Sequence, residues 1–158
     1  MLDFQISNNQ KEIIFIGLNP SLSDNKFTDN TTKKIIKISS FHKYGKLKII
    51  NLFALISKNP ANLKTHKDPI GFYNNHFINS SLRYWSENIN CDLWLGWGNK
   101  GKLFSRSEQV LKILAKYKKL KQKRFYDSYE PLMIKKTKYD NPMHPLYCED
   151  NSRFIKYI

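Results

Sequence analysis

Four stretches of this chain hold side chains that could do chemistry. They are Asn19-Pro20-Ser21, Asn51-Leu52-Phe53, Gly96-Trp97-Gly98-Asn99 and His144-Pro145-Leu146-Tyr147. A carboxamide presents an acceptor and two donors, so it can read a polar edge or orient a water, but it cannot take that water's proton. An imidazole can donate to a developing anion. Singly, each stretch also has a plain structural reading. Asn-Pro starts turns, and the two glycines permit a tight one. Asn51 lies in an apolar run, where its amide must find loop backbone or cost about 1–3 kcal/mol, and His144 before Pro145 suits a surface turn. His42, His66, His76 and His144 are scattered, without the ligand spacing of a zinc site. Neither a Gly-x-x-x-x-Gly-Lys loop nor a Gly-x-Gly-x-x-Gly turn is present. No metal is expected.

The elements that must carry these residues alternate between strand and helix. Residues 12–18 form a continuous apolar run stopped by Asn19-Pro20, the pattern of a central strand buried on both faces. Asp29 or Asn30 caps a helix to about Ser40 with Ile35, Ile36 and Ile38 on its apolar side, ended by Gly45, and residues 47–53 give a second strand. After a loop from Ser57 to Pro69, Asp68 caps a helix that starts at Pro69 and runs to about Glu87. Phe72, His76, Phe77, Leu82 and Trp85 form its buried stripe. Residues 92–97 are a third strand, Ser105 to Tyr117 a helix on Val110, Leu111 and Leu114, and the fourth strand is either Arg124–Tyr126 or Leu132–Ile134. The expectation is a single α/β domain over residues 1–158, a three-layer sandwich around a four-stranded parallel sheet. In such sheets ligands bind outside the carboxyl ends of the strands, where these four stretches converge.

Composition narrows the class. The 158 residues include 27 Lys+Arg and 13 Asp+Glu, a formal charge of +14. Hydrophobic residues at 41% and aromatics at 14% exclude a disordered chain. No apolar run reaches the roughly 20 residues of a membrane span. The first ten residues lack a basic or apolar leader, so a cytoplasmic location is expected. Two cysteines are too few for a disulfide framework. The charge favours an anionic partner, most often nucleic acid. Against that, 23 of the basic residues are Lys and 4 are Arg in a chain rich in Asn and Ile, which AT-biased coding also produces. The densest cluster, Lys112 through Arg124, reads mainly as the solvated face of a helix.

Taken in order, the four stretches resemble the uracil-DNA glycosylase superfamily. Gly17-Leu18-Asn19-Pro20-Ser21 is similar to the Gly-x-Asn-Pro first motif of its mismatch-specific branch. Ile49-Ile50-Asn51 resembles the strand ending in the Asn that reads the uracil edge. Leu93 to Gly98 resembles the apolar strand closing on Trp-Gly, and His144-Pro145-Leu146 the start of the terminal His-Pro motif with its minor-groove loop. The order and similar spacing extend over about 130 of the 158 residues, and an uncharacterised bacterial Asn-Pro-Ser…His-Pro-Leu-Tyr group looks closer still.

That resemblance implies a uracil-DNA glycosylase-like fold and a monofunctional hydrolase working on DNA, as a monomer without cofactor. The target base would be rotated out of the stack into a pocket. Asn51 would pair with the pyrimidine N3–H and O4, and Phe53 or Phe27 would stack on the ring. His144 would donate to O2 of the leaving anion, and Asn19 would position water. Gly96, Gly98, Asn99, Lys100, Pro145, Leu146 and Tyr147 would contact DNA, Leu146 or Tyr147 as the wedge. The most active relatives carry Asp-Pro-Tyr-His where this chain has Asn19-Pro20-Ser21. The resemblance therefore implies slow turnover and looser exclusion of 5-substituted pyrimidines, with Asp24 or Asp29 as a substitute carboxylate. Two further readings stay open: the same fold as a non-catalytic DNA-binding module, and an enzyme acting on a free nucleoside or nucleotide.

Overall fold

A computed structural model describes residues 1–20, 29–57, 59, 61–127 and 129–157. In chain order the elements are β1 (Leu2–Gln5), β2 (Glu12–Gly17), α1 (Asn30–Phe41), β3 (Lys46–Asn51), α2 (Asn62–Thr65), α3 (Asn74–Glu87), β4 (Cys91–Leu95), α4 (Arg106–Phe125), β5 (Leu132–Met133) and β6 (Ile155–Lys156). Two 3-10 segments lie at Asn99–Ser105 and Pro145–Tyr147. The protein is α/β, with one open mixed sheet in the order β1-β3-β2-β4-β5-β6. This corrects the expected four-stranded parallel sheet. The inner strands β3, β2, β4 and β5 are parallel, and β1 and β6 add antiparallel edges. Neither edge strand has the continuous apolar run that marks a central strand, because an edge strand need not be buried on both faces.

β2 explains the layering. Ile13 and Phe15 point to one face, where Ile35 and Ile38 of α1 cover them with Leu47, Ile49 and Trp94. Ile14 and Ile16 point to the other, against Ile78, Leu82 and Trp85 of α3 and Val110 and Leu114 of α4. Asp29 caps α1, its Oδ1 accepting from the backbone N–H of Thr31 at 2.8 Å and of Thr32 at 3.1 Å.

Three boundaries differ from expectation for local reasons. The third helix starts at Asn74 instead of Pro69, because Asp68 Oδ1 accepts from Gly71 N at 2.9 Å and Gly71 turns the chain at φ 82°. The shift takes Phe72, His76 and Phe77 to the surface and leaves the buried stripe to Asn74, Ile78, Leu82 and Trp85. α4 runs to Phe125, which removes Arg124–Tyr126 as a strand, and Leu132–Met133 stands beside β4. Lys121 is also an exception within its basic cluster. It is fully buried, and its Nζ donates to the carbonyls of Trp85, Asn88 and Cys91 at 2.8, 2.6 and 2.9 Å. It serves as a cap where α3 ends and β4 begins. Among the described residues no helix is long and apolar enough to cross a membrane.

Candidate functional site

Parallel pairing brings the ends of β2, β3 and β4 to one edge of the sheet, with Gly17 beside Asn51 and Ile16 beside Leu95. The missing side chain of Gly17 makes room for the Asn51 amide. A methyl on Gly17 would lie 2.6 Å from Asn51 Oδ1 and 2.9 Å from Phe15 Cε1. Gly96 does the same on the neighbouring strand, where a methyl would lie 2.4 Å from Phe15 Cε2 and 3.4 Å from Pro145 Cδ. The Phe15 ring therefore lies under both glycines, with Asn51 on one side and the His144-Pro145 turn on the other. Gly98 adopts φ 70°, in the left-handed region that favours glycine, and lies beside His144, a methyl there standing in ordinary contact at 3.4 Å from His144 Cβ. The backbone N–H of Gly98 also donates to Pro142 O at 2.9 Å, which fixes the His144 loop to the β4 exit.

Asn51 is half-buried, and among the described residues its amide meets no hydrogen-bond partner. A half-buried amide left open at a strand tip is available to a ligand edge. His144 caps the Pro145–Tyr147 turn, its Nδ1 accepting from Leu146 N at 3.4 Å. That bond leaves the ring proton on Nε2, which meets no partner among the described residues. Burial pulls the imidazole below its ordinary value, while the negative charge of Asp29 pulls the other way. At neutral pH His144 is thus a neutral ring, within the field of a carboxylate. Asp29 is itself engaged, its Oδ2 accepting from Thr32 Oγ1 at 2.7 Å in addition to capping α1.

Asn19 has a different employment from Asn51. Its Nδ2 donates to the carbonyls of Pro20 at 3.0 Å, Leu55 at 3.4 Å and Ser57 at 2.9 Å. Three carbonyl partners fix the amide orientation, so its NH₂ is spent on tying the β3 exit loop to the β2 exit and only Oδ1 could face a water. A second brace stands behind Asn51. Leu52 O accepts from Asn74 Nδ2 at 2.6 Å and from Arg106 Nε at 2.8 Å. Arg106 is 1% exposed and donates from Nη1 to Gln109 Oε1 at 3.2 Å, and burial lowers its pKa.

The sequence candidates therefore separate. Asn51 and His144 flank the Phe15 ring, and Asn19 stands beside them as a tether. Phe53 cannot stack on a base, because it is 0% exposed within the core against Ile78 and Leu82. A residue two places past a buried strand's end is still inside the sheet's cover, which corrects that assignment. Ser21, Asp24 and Phe27 lie outside the described residues. Gly96, Gly98 and Pro145 are buried, so they permit the His144 turn to dock and do not themselves present a DNA surface. Asn99 is exposed, but its Oδ1 accepts from Thr137 Oγ1 at 2.5 Å and Asn141 Nδ2 at 3.3 Å, bracing a turn. Lys100, Leu146 and Tyr147 are exposed. Sequence reasoning did not single out Phe15, Arg106 or the action of Asp29 on His144. A phenylalanine inside a β-branched run reads as core, and Arg106 left only one trace, being an arginine in a chain that favours lysine.

Among the described residues no group of three or more His, Cys, Asp or Glu could hold a metal ion. What the edge defines is an α/β protein whose β2, β3 and β4 exits bring the Asn51 carboxamide beside Gly17 and the His144 turn beside Gly96 and Gly98, with the buried Phe15 ring under Gly17 and Gly96. The chain belongs to the DUF1643 family, described as a protein of unknown function, whose family model matches residues 1–146 and so takes in all of these strand tips. No curated protein and no solved structure matches it.

Proposed function

We propose that the protein is a DNA glycosylase of the uracil-DNA glycosylase type, which hydrolyses the N-glycosidic bond of uracil or a related pyrimidine flipped out of DNA. The observation that carries this reading is the pair of neutral groups without a side-chain partner among the described residues on the same edge of the sheet, the Asn51 amide at the β3 tip beside Gly17 and the His144 ring, whose Cβ lies beside Gly98 past the β4 tip. A carboxamide matches the N3–H and O4 of uracil with one acceptor and one donor, whereas cytosine presents the reverse pattern. As the C1′–N1 bond breaks, positive charge grows on the sugar and negative charge on the departing pyrimidine. The neutral His144 donor stabilises the second, and the Asp29 carboxylate, close enough to act on His144, offsets the first. The water oxygen bonds to C1′ and its proton ends on the released base. No cofactor enters that balance. The uracil-DNA glycosylase-like fold, the cytoplasmic monomer and a repair role belong to this same proposal.

The test is release of free uracil from oligonucleotides, read by alkali cleavage at high protein concentration. His144→Ala should slow it by about 10²–10³, the scale of one lost oxyanion donor. If no modified base leaves DNA, the proposal fails. A second reading, a non-catalytic DNA-binding module on the same fold, is favoured by the full commitment of the Asn19 NH₂ to loop carbonyls. Salt-dependent DNA affinity without alkali-labile sites would select it.

A further inference from the structure

A strip of surface runs past the His144 turn on both sides. On one side Leu146 lines a groove of about 490 Å³ with Lys33, Lys34 and Lys37 of α1. Asp150 stands at the same groove and pairs with Lys34 and Lys37, while Lys33 lines it with no ion pair among the described residues. In the middle lie His144 and Tyr147, whose rings are 6.2 Å apart. On the other side the turn from Thr137 to Asn141 is tied to the β4 exit, Thr137 and Asn141 through Asn99 and Tyr139 O through Lys102 Nζ at 3.3 Å. Lys138 lies 5.0 Å from the centre of the Tyr139 ring, and the only carboxylate of that turn, Asp140, pairs with Lys136. Along this strip the apolar residues are outside. Leu146 is 47% exposed, Tyr147 73% and Tyr139 57%.

Large exposed rings set among lysines, next to the His144 turn, have a physical use. Each ring offers a face on which an unstacked base can lie, and the lysines follow the phosphates. Bases in a duplex are already stacked on each other, so a duplex binder gains from one wedge at the flipped base and little from further rings. We infer that this strip is a track for single-stranded DNA, with Tyr147 beside His144 and Tyr139 on the neighbouring turn as stacking platforms and Lys33 and Lys100 on the flanking phosphates. The inference deepens the glycosylase reading, on which it rests for DNA as the partner but not for binding itself.

The experiment uses uracil-free DNA, so that it does not depend on base release. Fluorescence anisotropy compares a labelled mixed-sequence single strand with its blunt duplex, for the parent, Tyr139→Ala, Tyr147→Ala, Tyr139→Phe and Lys100→Gln. The single strand should bind more tightly. Each Tyr→Ala variant should lose about tenfold on the single strand, the scale of one base–aromatic stack, and much less on the duplex. Tyr139→Phe, which keeps the ring, should restore binding and so separates lost stacking from lost folding. Lys100→Gln should weaken both DNAs alike and reduce the salt slope by about one contact. Equal affinity for the two DNAs, or Tyr→Ala losses equal on both, overturns the track. If the tyrosine pattern holds and no uracil is ever released, the track stands and the glycosylase reading is the part that fails.

Discussion

Gly17→Ala isolates the geometry on which the cleft depends. The new Cβ would stand 2.6 Å from Asn51 Oδ1 and 2.9 Å from Phe15 Cε1. Phe15 is 1% exposed and set edge-on to Trp94 at 4.7 Å between ring centres, so it has nowhere to go. The Asn51 amide is the far end of a side chain and can swing, by about half an ångström or more, which is the tolerance within which a site must hold its groups. Displacements of this order cost about 10–100-fold in rate. The stability cost is smaller. Overpacking costs about 1–3 kcal/mol, while replacing glycine returns about 0.4–1 kcal/mol through the unfolded chain. The net of about 0–2.6 kcal/mol lowers Tm by some 0–10 °C in a domain of this size. The matched control is Gly71→Ala, where the new methyl would meet Ala54 Cβ at 2.7 Å and the residue sits at φ 82°, away from Asn51. Alkali-cleavage time courses and thermal melts on both variants separate the effects. Gly17→Ala should lose far more rate than its Tm change accounts for, whereas Gly71→Ala should lose stability with little change in rate. A Gly17→Ala protein with the parent's rate would refute the assignment of Asn51 as the base-reading group.

Other perturbations reach the remaining parts of the edge. Burial holds His144 below the ordinary histidine value of about 6.5, so the neutral donor persists to mildly acidic pH. Rate should then fall only as pH drops through the lowered value, with Asp29→Asn moving that midpoint further down in a pH–rate profile. The same shift means the folded state binds fewer protons than the unfolded one between the two pKa values. His144 therefore contributes stability above about 6.5 that acidification removes. Asn19→Asp should set a carboxylate against the Pro20, Leu55 and Ser57 carbonyls. We expect a loss of about 1–3 kcal/mol in a denaturant melt and no gain in rate. A large gain instead would place Asn19 beside the water. Lys121→Met should take the Lys121 donor from the carbonyls of Trp85, Asn88 and Cys91, of which Asn88 O keeps the Cys91 N–H at 3.3 Å, and cost about 1–3 kcal/mol, without changing DNA affinity, because this lysine faces no solvent.

The inner sheet could be read from the sequence because its strands leave a one-dimensional mark. The run at β2 is apolar at nearly every position and those at β3 and β4 centre on Leu47, Ile49 and Ile50 and on Leu93, Trp94 and Leu95, and the Asp29 cap has a local geometry that side-chain type alone suggests. The edge strands could not, since two residues at β6 carry no period. Nor could the length of α4, whose last two turns are Lys-rich because Lys121 turns inward while Lys118, Lys119 and Lys123 do not. At the cleft the strand-tip rule placed Asn51 and His144 on one edge. It could not distinguish them from Asn19, because a free and a committed carboxamide have the same letter. Phe53 shows the opposite error, where nearness in sequence to Asn51 counted for less than the cover of α3 and α4.

The division of labour between the two carboxamides has a consequence for mechanism. At the position where the resemblance expects water to be managed, this chain has a residue whose donors hold two loops together. An amide cannot remove a proton in any case. In the proposed reaction, rate enhancement must then come mostly from the leaving group, through the His144 donor, and from the field of Asp29 on the sugar. Both act in the transition state and neither requires a strong base. This fits the arrangement in which burial keeps His144 neutral and the Leu146 N–H fixes its proton on Nε2. It also gives Gly98 a role its exposure does not suggest: at φ 70° it sets the path of the β4 exit, and its N–H, donating to Pro142 O at 2.9 Å, holds the loop that carries His144.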